Sequence, residues 1–161
     1  MTVKEYNKAV DLYSDGVFRF IFKNLHDEDK ARDVVQDTFE KLWIRRENVS
    51  GEKVKTYLFS AAYHTMIDLI RKEKCHAEYE RRTQPDTVHE EHYNDLNEIL
   101  HKAINRLPES QRAVIMLRDY EGYSYEEIAG ITGLNESQVK VYIYRGRIFL
   151  KNYLGSLEKV L

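Results

Sequence analysis

Between Ser137 and Arg147 the chain carries Ser137, Lys140, Val141, Tyr144, Arg145 and Arg147, at spacings that gather them on one side of a helix. Lysine and arginine donate hydrogen bonds to base edges and phosphates, and valine packs against thymine methyl groups. The chemistry on offer is recognition of a nucleic-acid duplex through its major groove. Lys140, Val141, Tyr144 and Arg145 would face the bases, while Ser137 and Arg147 would hold phosphates. The opposite stripe, Val139, Tyr142, Ile143, Gly146 and Leu150, is suited to packing.

Other residue sets invite chemistry and do not sustain it. His89 and His92 enclose Glu90 and Glu91, but HEEH is not the HExxH spacing and no third ligand stands at a fixed offset. Cys75-His76 has no CxxC partner, so no metal site is expected. The chain holds no phosphate loop, GxSxG elbow or dinucleotide fingerprint. Its carboxylates fall on solvated helix faces rather than as an isolated pair. We therefore expect no enzyme, no cofactor and no small-molecule substrate.

The elements that would position the basic stripe follow from local signals. Ala129, Gly133, Leu134, Val139 and Ile143 supply the small residue, the turn and the apolar pins of a helix-turn-helix. Ser124 with Glu127 forms a capping box for its first helix, and Asn135 with Gln138 a looser one for its second. Upstream, Leu96, Ile99, Leu100, Ala103, Ile104 and Leu107 keep helical period. Pro108 then suits the first position of the helix ESQRAVIMLRDY, which Gly122 can end.

Towards the N-terminus, Val10, Tyr13, Val17, Phe20 and Ile21 mark a helix from Tyr6 to about Leu25. A second carries Ala31, Val34, Val35, Thr38, Phe39 and Leu42, with Asp27, Glu28 and Asp29 at its positive end. Trp43 is expected as a core anchor. A third, KTYLFSAAYHTMIDLIRKEK, turns Leu58, Phe59, Ala62, Tyr63, Met66, Leu69 and Ile70 inward. From about Cys75 to His92 the apolar period fades, leaving a linker with at most a frayed helix at its start. The expected fold is all-α: two small helical domains, 1–75 and 93–161, joined by a flexible linker over 76–92.

Charge is unevenly shared. The formal net charge is −2, yet residues 134–161 hold 5 Lys/Arg against 2 Asp/Glu, and 51–82 hold 7 against 5. Residues 83–133 hold 4 against 10, an acidic middle between two basic patches. A chain so balanced should bind DNA weakly alone and need a partner to hold it there. The single cysteine fits a reducing cytosol, and no apolar run approaches the roughly 20 residues that span a bilayer. No secretory leader is visible, so a cytoplasmic protein is expected.

These motifs resemble a known family. LPESQRAVIMLRDYEGYSYEEIAGITGLNESQVKVYIYRGRIFLKNYL is similar to the DNA-binding domain of extracytoplasmic-function sigma factors, specificity subunits of bacterial RNA polymerase. ARDVVQDTFEKLW resembles the family's helix that docks on core polymerase, and KTYLFSAAYHTMIDLIRKEK the helix that melts the −10 promoter element. The resemblance covers about residues 8–154. It implies an alternative sigma factor that reads a −35 element with the helix-turn-helix and helps to open the −10 region. Its implied partners are core RNA polymerase, promoter DNA and an anti-sigma factor, often membrane-linked.

Residue roles then follow from the resemblance. Asp33, Gln36, Asp37 and Glu40 become candidates for contact with polymerase. On the third helix, Tyr57 and His64 can stack or hydrogen-bond an extruded base, while Lys55, Arg71 and Lys72 bracket the backbone. Family members often carry Trp where Tyr57 stands and Asn where His64 stands. Two rival readings remain: an autonomous dimeric helix-turn-helix regulator, and a protein-interaction module whose basic face meets acidic partners.

Overall fold

Thr2 opens the first helix with a reciprocal cap: its hydroxyl accepts the Glu5 amide at 3.1 Å while Glu5 accepts the Thr2 amide at 2.8 Å. The computed structural model describes residues 1–81 and 96–158. Helix α1 spans Val3–Leu25 and ends at His26, which takes the left-handed conformation with φ 53°. Asp27 caps α2 (Glu28–Ile44) by accepting the Lys30 amide. Helix α3 runs from Val54 to Arg81. Phe20, Ile21, Leu42, Leu58 and Met66 are fully buried where these three helices meet.

Helix α4 (Leu96–Asn105) and α5 (Glu109–Ile115) begin the second half. Helix α5 passes directly into a π-helical turn, Met116–Tyr120, in which the Glu121 amide reaches back to the Met116 carbonyl at 3.1 Å. Ser124 and Glu127 form the expected capping box on α6 (Tyr125–Thr132). Gly133, at φ 77°, ends α6 in a conformation costly for other residues. Asn135 and Gln138 exchange bonds of 2.8 and 3.0 Å at the start of α7 (Glu136–Glu158). Among the described residues there is no strand, and the all-α expectation holds.

Three expectations need correction. The stretch 76–81, assigned to the linker, is helix: EKCHAEYER lacks apolar period but consists largely of good helix formers, and His76 faces Glu80 one turn on at 3.0 Å. Residues 82–92 of that linker lie outside the described residues. Pro108 is the cap of α5 with extended ψ, one residue before the helix begins. Trp43 is not a core anchor. It lies one helical step past buried Leu42 and is 38% exposed, set edge-on to Tyr6 at 4.9 Å with the Arg46 guanidinium over its ring.

The two halves pack against each other. Helix α6 lies on α3, where Phe59 meets Tyr123 edge-on at 5.2 Å between ring centres. Arg19 grips Glu121 with two bonds of 2.9 Å, Lys74 pairs with Glu109, and Lys23 sits 4.0 Å over the Tyr120 ring. In each of these contacts the cation comes from the first half.

Helix α7 crosses α5 at Gly146, where a Cβ would stand 2.3 Å from Ile115 Cδ1 in a buried contact. Gly146→Val is accordingly expected to destabilise the protein by about 1–3 kcal/mol through overpacking, seen as a lower urea midpoint. Gly155→Val, where a Cβ meets nothing within 4 Å, should lack that overpacking loss.

Candidate nucleic-acid and polymerase interfaces

On α7 the buried residues Val139, Ile143 and Gly146 fix which side faces out. At 100° per residue, Ser137, Lys140, Val141, Tyr144, Arg145 and Arg147 occupy an arc of about 160° on the other side. All six are exposed, Tyr144 at 67% and Val141 at 42%. Their electrostatic situations differ. Arg145 has no ion-pair partner among the described residues. Lys140 lies 3.7 Å from Glu136 in a solvated pair and 5.6 Å over the Tyr125 ring, bonds weak enough to exchange for a phosphate or base. Arg147 is held at 2.6 Å by Asp119 of the π-helical turn, so it anchors α7 as well as facing out.

Further along α7 the same arc continues through residues outside the expected set, Ile148, Lys151 and Asn152, all exposed. Ile148 lies near the middle of the same arc and is 41% exposed. An isoleucine counts as core by type alone. The signal that places it outside is phase, since it follows Val141 and Tyr144 by seven and four positions.

On α3, Tyr57 is half-buried and opens onto two grooves. One, of about 340 Å³, is lined by Lys41, Arg45, Ser60 and Ala61; the other, of about 470 Å³, runs past Thr56 to Gly130 of α6. His64 is exposed two turns on, its ring edge-on to Tyr63 at 5.1 Å. Burial raises the Tyr63 hydroxyl above its ordinary pKa, so it stays protonated near neutrality. Arg71 and Lys72 are exposed further along the helix. Lys55 stands apart. It is about 200° round the helix from Tyr57, and its ammonium lies 4.7 Å over the ring of Tyr123.

The face of α2 combines charge with aromatic surface. Asp33, Gln36 and Glu40 are exposed. Asp37 is tied down: the Lys41 ammonium reaches it at 2.9 Å and donates to the Thr65 hydroxyl, also at 2.9 Å, bridging α2 to α3. Asp33 and Asp37 share a groove of about 320 Å³ with Lys72 and Asp68. Trp43 and Ile44 continue the same face, Ile44 being 76% exposed. Sequence reasoning missed this apolar end because Trp43 was assigned inward. A tryptophan beside an exposed isoleucine on a polar face is surface that a protein partner can cover.

Among the described residues no three of His, Cys, Asp and Glu come together as a metal cluster, and His89 and His92 lie outside them. Nor is any described helix long and apolar enough to cross a membrane.

Comparison with known proteins places both halves. The chain matches the family model described as Sigma-70 region 2 over residues 9–75 and that described as Sigma-70, region 4 over residues 97–150. The RNA polymerase sigma factor SigV of Bacillus subtilis (strain 168) is 33% identical over 140 residues, covering 83% of this chain and 81% of the relative. The RNA polymerase sigma factor YlaC of the same strain is 29% identical over 161 residues, with 92% and 93% covered. Among solved structures, the sigma factor RpoE of Bartonella quintana, in complex with the anti-sigma factor NepR, superposes with a TM-score of 0.77 at 27% identity. That single superposition covers 95% of this chain and 98% of the other, and so takes in both halves at once.

Proposed function

Since this chain belongs to the sigma-70 family, as an extracytoplasmic-function sigma factor directing RNA polymerase to promoters, we propose that its two helical units divide that work between two promoter elements. The observation that carries the division is the exposed arc of α7, which presents Ser137, Lys140, Val141, Tyr144 and Arg145 while Val139, Ile143 and Gly146 opposite are buried. A helix so presented fits the major groove of a −35 duplex. The first unit, 1–75 with its helical extension, docks on polymerase through Asp33, Gln36, Asp37 and Glu40. Its α3 holds the unpaired −10 strand with Tyr57 and His64 stacking against bases and Arg71 and Lys72 on phosphates. Capturing extruded bases offsets their unpairing, so the chain itself need not catalyse anything.

The carboxylates on either side of the π-turn favour this reading over autonomous DNA binding. Glu121 and Glu109 hold cations of the first half, so the modest positive surface becomes useful only on a polymerase that supplies the remaining affinity. The match of both halves to sigma regions disfavours a lone helix-turn-helix regulator and a general interaction module. By likeness to the solved relative bound to NepR, a protein inhibitor of the anti-sigma kind, free or membrane-linked, is the partner that would keep this chain idle in the cytoplasm.

Reconstituted transcription tests the proposal. Purified core polymerase with this chain should initiate from discrete promoters among genomic fragments, and core polymerase alone should not. His64→Ala should then reduce permanganate reactivity of −10 thymines several-fold with closed-complex binding retained. Equal reactivity in the variant would remove His64 from the melting surface.

A further inference from the structure

At one edge of the junction between the halves, α1 ends on His26 and α4 presents His101, with ring centres 4.8 Å apart and ring planes at 76°. Neither imidazole is fully satisfied: His26 Nε2 and His101 Nδ1 are buried without a hydrogen-bond partner. Beside them Arg112 of α5 donates to the Asn24 carbonyl at 3.2 Å and to Asn105 Oδ1 at 3.3 Å. The contact therefore brings two imidazole rings against a guanidinium that carries a positive charge.

We propose that the contact between His26 and His101 is a proton-sensitive latch, which holds the two halves of the chain together and releases them on acidification. The groups facing His26 favour its neutral form. They are His101 on α4 and Arg112 on α5, with Asn105 beside them. The carboxylates nearby are engaged elsewhere. Glu109 of α5 pairs with Lys74, and Asp27 accepts the Lys30 amide at 3.1 Å with the Lys30 ammonium 3.9 Å away. On α1, Lys23 is directed at Tyr120.

Burial first, and then His101 and Arg112, hold His26 below the ordinary histidine pKa, with Asn105 acting the other way. Once the halves part, His26 meets water and takes its proton near the ordinary value of about 6.5. Between the lowered and the ordinary values the open form carries more protons. Closure is therefore fully favoured above about pH 6.5 and weakens as pH falls below it. Each extra proton on the open form changes the closed-to-open ratio by about tenfold per pH unit over that window. Opening frees Lys55 from Tyr123 and separates Tyr57 from the α6 side of its groove.

The latch goes beyond the assignment of DNA contacts and does not depend on it, so its test includes neither DNA nor polymerase. Spin labels on Cys75, at the far part of α3, and on an Asn152→Cys variant of α7 report the separation of the halves by pulsed electron resonance in the full chain. From pH 7.5 to 5.5 a longer-distance population should grow several-fold while helical circular dichroism stays constant. The His26→Asn, His101→Gln double variant should remain compact and lose that response, asparagine being tolerated in the left-handed conformation of His26. Distances that do not change with pH overturn the latch. So does the same response in the double variant, or a response accompanied by loss of helix.

Discussion

Phe59→Ala is expected to cost about 3–5 kcal/mol of folding stability, a large share of what a domain of this size possesses. The ring is 2% exposed and lies between two others, 5.8 Å from Phe20 inside the first unit and 5.2 Å from Tyr123 of the second. Truncation therefore opens a void in the core and removes the contact that ties α3 to the turn before α6. Urea denaturation of Phe59→Ala, Tyr123→Leu and the double variant separates the two losses. A coupling of about 0.5–1.5 kcal/mol between the positions would measure the aromatic pair across the junction. Additive single losses would mean that the halves touch there without stabilising one another.

Arg145→Ala is expected to weaken promoter binding by the polymerase complex by about 1–3 kcal/mol, or roughly fivefold to 150-fold, without loss of polymerase binding. The guanidinium is exposed, unpaired among the described residues and at one edge of the α7 arc, so truncation should leave the fold intact. Arg145→Lys should recover only part of the loss if the contact is bidentate, because an ammonium cannot present two parallel donors. Arg147→Ala should behave differently. Its guanidinium is bound to Asp119, so the loss should include a lower melting temperature and less change in sequence preference. A promoter complex indifferent to Arg145→Ala would remove that residue from the −35 surface.

Much of this molecule could be read from the chain because its local signals agree with its packing. Ser124 and Glu127 cap α6, Gly133 ends it, and Val139, Ile143 and Gly146 of the apolar stripe of α7 are buried, with Tyr142 and Leu150 half-buried beside them. The outward set on α7 followed directly, since a helix with one side packed has only one side left. Period failed where something else decided. Residues 76–81 are helical through propensity and a His76–Glu80 pair rather than an apolar face. Trp43 was assigned inward by residue type, although its phase put it beside Tyr6 and Arg46 at the surface.

The junction was the least legible part, because a linear reading offers no means of pairing Arg19 with Glu121, 102 positions away. The acidic middle was visible as composition. Its use was not: two of its carboxylates clasp cations of the first half. A charge run thus reads correctly as a reservoir of anions and says nothing of which cations they will meet.

The π-helical turn at Met116–Tyr120 sets the bearing of everything after it. Its three outward residues point three ways: Arg118 to the Tyr123 carbonyl, Asp119 to Arg147, and Tyr120 to Lys23 of α1. Such a turn accommodates one residue more than an α-helix would in the same length. Deleting one residue there would leave each helix chemically whole and rotate its successors by about 100°. Glu121 would swing off Arg19, and α7 would lose its alignment with α3. In this chain the angle between α3 and α7 is encoded as a single surplus peptide unit.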